Sequence, residues 1–163
     1  MTSYPEIRIN YAGLLNSSES KMLSDYVKRP LLSDEEALML VERYRDAWVK
    51  HEKAILGYLH KATGLEYYRD VLDVHIAQLF VPKSEPLIIS CMDDPDTFVD
   101  TLTHELIHVL LTDNNVVQLS GKHRGYLLAN DWKKMFKGDH SFTTLIHIPV
   151  HALHEGVIRD YFN

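Results

Sequence analysis

The stretch that most constrains this chain runs from Asp94 to Leu111. Asp94-Pro95-Asp96-Thr97 is a helix start. Asp94 can accept from the first free backbone amides, Pro95 has no amide to leave unpaired, and acidic residues suit the positive end of a helix. Phe98, Val99, Leu102, Leu106, Val109 and Leu110 follow at helical spacing and predict a mostly buried helix that ends near Thr112-Asp113-Asn114. In the middle of that apolar run stands His104-Glu105-Leu106-Ile107-His108. Residues four apart on a helix lie one turn along the same face, with Cβ atoms about 5–6 Å apart. His104 and His108 can therefore share one zinc ion at about 2.0–2.1 Å from each ring nitrogen. Glu105 is turned about 100° from His104, which places a base beside a metal-activated water rather than on the metal. A carboxylate next to such a water is the minimum apparatus for hydrolysis.

The rest of the chain supplies a scaffold. Ile7-Arg8-Ile9-Asn10-Tyr11 alternates apolar and polar residues and predicts a strand. Residues 18–28 suit a short helix stopped by Arg29-Pro30. Ser33-Asp34-Glu35-Glu36 is a capping box that starts a long amphipathic helix with Val41, Tyr44, Trp48, Ile55 and Leu59 on its apolar stripe, running to about Ala62 before Gly64. Val71–Phe80 and Leu87–Cys91 read as two buried strands, taken together as a hairpin across the polar Pro82–Pro86 connection. Gly121–Gly125 reads as a loop, and Tyr126–Phe136 as a helix carrying a small basic cluster. Ser141 can cap a last helix, Phe142–Phe162, with Pro149 and Gly156 inside it. An interior glycine costs about 1 kcal/mol against alanine, so Gly156 predicts close packing against another backbone. His51, His60 and His75 read as boundary or sheet-face residues.

Composition narrows the function classes. A net charge of −6 lacks the basic footprint that nucleic acid or an anionic membrane needs. No apolar run is long enough for a membrane span, and the first residues lack the features of a signal peptide. Cys91 is the only cysteine, so no intramolecular disulfide can form and a cytoplasmic setting is expected. Of the 10 histidines, His104, His108, His123, His140, His147, His151 and His154 crowd the C-terminal part, which suggests a metal or a site that uses imidazoles. The length fits one domain over residues 1–163, with residues 1–64 giving the N-terminal strand and long helix and residues 65–163 bearing the motif.

A catalytic zinc normally takes three protein ligands and keeps one open position. His147, His151, His154 and Glu155 fall on one side of the last helix and offer the third. His154-Glu155-Gly156 resembles the glutamate-bearing second helix of gluzincin metallopeptidases, and the element order is similar to that of small minigluzincin-like zincins. The resemblance implies an α+β fold: a minimal zincin-like domain, with a small sheet on a long backing helix, an active helix and a C-terminal glutamate helix. It implies one zinc per chain held by His104, His108 and Glu155, with Glu105 as general base and acid. It also implies that an edge strand, here Leu87-Ile88-Ile89-Ser90-Cys91, receives the substrate backbone. One departure concerns the position four residues after the ligand glutamate, often Asp in the family, which here is Arg159; Asp160 follows it. In another register His151 is the third ligand and Glu155 supports it, and His147 also remains a candidate.

The function expected is zinc-dependent hydrolysis of a peptide or protein substrate. His147, His151, His123 and Tyr126 are candidates for stabilising the oxyanion. The alternative is a latent or non-catalytic metal-binding protein, with the cleft self-occluded or with four ligands such as His104, His108, His151 and Glu155 closing a structural site.

Overall fold

The computed structural model describes residues 4–16, 24–26, 30–78, 81–114, 117–118, 125–126, 135–136 and 140–161. The fold is α+β, with a small mixed sheet and three long helices. In chain order the elements are β1 (Glu6–Tyr11), a 3-10 turn (Gly13–Leu15), α1 (Asp34–Thr63), β2 (Val71–Ala77), β3 (Lys83–Ser84), β4 (Leu87–Ser90), α2 (Pro95–Asp113), β5 (Val117–Gln118), β6 (Gly125–Tyr126) and α3 (Phe142–Tyr161). The expected helix over 18–28 falls largely outside the described residues. Most of the helix expected over Tyr126–Phe136 does too, although Gly125–Tyr126 pairs with Val117–Gln118 as a strand rather than opening a helix.

Local chemistry sets the helix ends. Ser33 Oγ accepts from the Glu36 amide while Glu36 Oε2 accepts from the Ser33 amide at 2.8 Å, completing the capping box. Gly64 closes α1 at φ 68°, a left-handed conformation that a side chain disfavours. Asp94 accepts from the Asp96 and Thr97 amides at the start of α2. Ser141 Oγ accepts from the Thr144 amide ahead of α3, which continues through Pro149.

The four-stranded sheet has the order β1-β2-β4-β3. β1, β2 and β4 run parallel, and β3 alone runs antiparallel to its neighbour β4. The expected hairpin of Val71–Phe80 with Leu87–Cys91 is therefore corrected. The chain leaves β2, doubles back through β3 at the rim, and fills the gap between them with β4. Leu87–Cys91 is not the edge either, because Lys83 and Ser84 pair with Ile88 and Leu87 on its outer side. Leu87, Ile88 and Ile89 are all buried, as an inner parallel strand requires, while β3 is short, charged and set between Pro82 and Pro86, as edge strands are.

One core unites these elements. Ile9, Leu72, Val74, Ile76, Leu87 and Ile89 meet Val41, Tyr44, Trp48, Ile55, Leu56 and Leu59 of α1, Phe98, Leu102, Leu106 and Leu110 of α2, and Leu145, Val150 and Val157 of α3. The Tyr44 ring stacks on Phe98 at 4.1 Å between centroids, and its hydroxyl bonds the Met92 backbone, which registers α1 against the entry of α2. Buried Gln78 bonds both backbone groups of Leu32, tying the entry of α1 to the end of β2.

Gly156 is packed tightly, but against a side chain rather than a backbone. A Cβ there would lie 1.9 Å from Tyr58 Oη and 2.7 Å from its Cζ. The Tyr58 ring is held edge-on by Tyr161 at 6.0 Å. Gly156→Ala gains about 1 kcal/mol of helix propensity but overpacks the contact at a cost of about 1–3 kcal/mol. A net loss of about 1 kcal/mol in thermal unfolding is expected. In a Tyr58→Ala background the same substitution should become stabilising.

Candidate metal centre

Capping at Asp94 and the apolar stripe of α2 fix His104 and His108 on successive turns of a helix buried by the sheet and by α3. Their Nε2 atoms stand 3.2 Å apart. Two nitrogens on one tetrahedral zinc at about 2.0–2.1 Å would stand about 3.3 Å apart, so this pair has the spacing a shared cation needs. His147 of α3 completes a group in which all three ligand nitrogens lie within 4.8 Å of one another, each residue half-buried. Its ring is 4.9 Å from that of His108 and 5.6 Å from that of His104. His147 Nδ1 is 2.8 Å from the Thr143 carbonyl oxygen. A carbonyl only accepts, so Nδ1 carries the proton and the Nε2 lone pair is left for a cation, an orientation usual for ligating imidazoles.

The other α3 candidates are placed differently. The His151 ring lies 5.4 Å from His104 and 5.5 Å from His147, but its side chain is exposed. The His154 ring lies 5.5 Å from His104, and its Nε2 is 3.0 Å from Asp100 Oδ1. Glu155, the third ligand implied by the resemblance, is exposed and outside the three-residue group. The cause is helical phase. Val150 and Val157 mark the buried side of α3, about 60–80° to one side of His147, whereas Glu155 lies about 80° to the other, towards solvent. Glu155, His147 and His151 border an open groove with Ser141 and Thr144. His123 lies outside the described residues, as does the Tyr126 side chain, though the Tyr126 backbone is in β6.

Glu105 is buried, 7% exposed, and lines a cavity of about 310 Å³. His108 and Thr112 of α2, His147 and Ile146 of α3, and Pro82, Lys83, Ser84 and Glu85 around β3 complete its lining. The cleft thus has the edge strand on one side and imidazoles and a carboxylate on the other. β3 and Thr112 were not singled out from sequence. The Pro82–Pro86 stretch reads as a connection in sequence, and its bracketing prolines are the one local mark of an edge strand there; nothing local marks Thr112, whose place depends on how α2 faces the strand.

Burial pushes the Glu105 carboxyl up to about 7. Burial first, and then the charges of neighbouring imidazoles, push His104 and His108 down to about 4. At neutral pH both histidines are therefore unprotonated and able to ligate. The two shifts oppose each other in metal-free protein. Below pH 6.5 the unfolded histidines take up protons that the folded ones refuse, so stability is lost as pH falls towards 4. Above pH 4.5 the unfolded glutamate ionises while folded Glu105 stays protonated, so stability is also lost as pH rises to about 7. Glu105→Gln removes only the second loss. In chelator, its stability relative to wild type should rise between pH 4.5 and pH 8 by on the order of 2–3 kcal/mol, read from denaturant melts.

Comparison with protein-family models, with curated proteins and with solved structures returned no match. No helix among the described residues is long and apolar enough to cross a membrane.

Proposed function

We propose that this chain is a zinc-dependent peptidase of the zincin type. The observation that carries the reading is the 3.2 Å approach of the His104 and His108 Nε2 atoms, with His147 beside them, at a cavity lined by buried Glu105. His104, His108 and His147 would hold the ion; a histidine in third place departs from the glutamate that the gluzincin resemblance implies. Bound zinc would supply Lewis acidity towards a peptide carbonyl and towards water.

The chain's own groups do the rest. Glu105 takes a proton from the attacking water and returns it to the leaving amine, and its apolar surroundings suit both tasks because they bring its pKa close to neutral pH. β3 lines the cavity through Lys83 and Ser84 and is the sheet edge on that side, so an extended substrate pairs with it by strand addition. His151, exposed beside the group, is a further candidate donor for the oxyanion.

A second reading has its own support. The His104 ring is approached by three α3 imidazoles, those of His147, His151 and His154. If a fourth nitrogen closed the site, no position for water would remain and the zinc would be structural. Incubation with a peptide library distinguishes the two. The peptidase reading requires cleavage that chelator abolishes and added Zn²⁺ restores. One tightly bound zinc per chain with no cleavage would favour the closed site.

A further inference from the structure

The segment between α1 and β2 forms a strap along the C-terminal half of α2. Half-buried Tyr67 donates its hydroxyl to the Leu106 carbonyl, inside the histidine motif, at 3.1 Å. Asn114 Nδ2 donates to the Glu66 carbonyl at 2.8 Å and to the Leu110 carbonyl at 2.9 Å. Arg69 then grips two elements at once. Its Nε and one terminal nitrogen meet the two Asp113 carboxylate oxygens at 3.3 and 2.7 Å, and the same terminal nitrogen meets Glu85 Oε2 at 3.1 Å. Asp113 is the last residue of α2, one position beyond Thr112 on the cavity wall, and Glu85 lines the same cavity from the turn between β3 and β4. The following residue, Asp70, accepts from the Glu6 amide at 2.9 Å, so the strap is anchored to the sheet at its far end.

We propose that Arg69 is a positioning residue that holds the β3–β4 turn against the end of α2 and so sets the width of the cleft. The planar guanidinium suits the task because it binds Asp113 through two nitrogens and still reaches Glu85, which a lysine point charge cannot do with the same geometry. The Asp113 contact is the firmer one, since that carboxylate is 12% exposed against 55% for Glu85. The Glu85 link is the weaker, and it is the link that spans the cleft.

The consequence for substrate rests on the peptidase reading; the clamp itself does not. Hydrogen exchange of the backbone amides is compared in wild type, Arg69→Lys, Arg69→Met and Glu85→Gln. Amides of Lys83, Leu87 and Ile88 are expected to exchange about threefold faster in Glu85→Gln and about tenfold faster in Arg69→Met, with Arg69→Lys between them. Amides of α2 from Leu102 to Leu106 stay unchanged, and zinc affinity by chelator competition stays within about twofold. With an extended peptide, KM rises about fivefold at nearly constant kcat. Unchanged exchange around β3 in Glu85→Gln and Arg69→Met, or a zinc affinity that falls in step with the exchange, would overturn the clamp. Should Arg69→Met fail to fold with Asp113 unpaired, Glu85→Gln, which breaks only an exposed pair, decides the matter. If no peptide is cleaved by any form, the peptidase reading fails while the exchange data still decide the clamp.

Discussion

Replacing Glu105 by glutamine is expected to lower kcat about 10³-fold, within the range usual for losing a general acid–base group, while one zinc per chain is retained. Both halves of the result follow from position. Glu105 is buried in the cleft wall and is not among the three clustered ligands, so the amide should spare the ion and remove the proton carrier. Glutamine keeps the volume and cannot ionise, so the fold should tolerate it. The pH profile gives a second reading of the same residue. In metal-free protein burial holds Glu105 up to about 7. A nearby cation favours the carboxylate, so the acid limb of the activity profile should have its midpoint below that value, with activity rising as pH rises through it. That limb should vanish in the glutamine variant. Full activity in Glu105→Gln would remove this residue from the mechanism.

His147→Ala is expected to weaken zinc binding by more than 100-fold, comparably with His104→Ala and His108→Ala. Exposed supporting groups cost less, so Glu155→Ala and His151→Ala should each weaken binding by about tenfold, the low end for the outer partners of a metal site. Competition against a chromophoric chelator measures all five without any substrate. The expectation follows from which side of α3 faces the α2 histidines. His147 shares the half-buried side, its Nδ1–H donates to the Thr143 carbonyl, and Glu155 is exposed to solvent. A large loss in Glu155→Ala with little in His147→Ala would restore the glutamate ligand that the family resemblance implies. It would also require α3 to turn about its axis, against the packing of Val150 and Val157 in the core and of Gly156 on Tyr58.

Helix boundaries were the most legible part of this chain. Ser33, Gly64, Asp94 and Ser141 act within a turn of the backbone they terminate, so their chemistry is written beside them. Strand partners were not legible. Alternation in Ile7–Tyr11 and burial of Leu87–Ile89 specify which way side chains face, but parallel and antiparallel neighbours impose the same alternation. Hence a plausible hairpin proved to be two parallel strands, with a two-residue strand at the rim. Arg69 gave no signal either. Its partners are 16 and 44 residues away, and nothing near it in sequence marks a clamp.

The sequence by itself determined the His104–Glu105–His108 constellation. A helix places residues four apart on one face whatever surrounds it, and Asp94, Pro95 and the apolar stripe are enough to make that helix. The group from α3 that joins this pair could be decided only by the tertiary structure. His147, His151, His154 and Glu155 share one broad arc of their helix, and choosing among them takes the rotation and crossing of α3 over α2. Contacts spread over α1, α2 and the sheet fix that rotation, and they bring His147 to the seam while leaving Glu155 outside it.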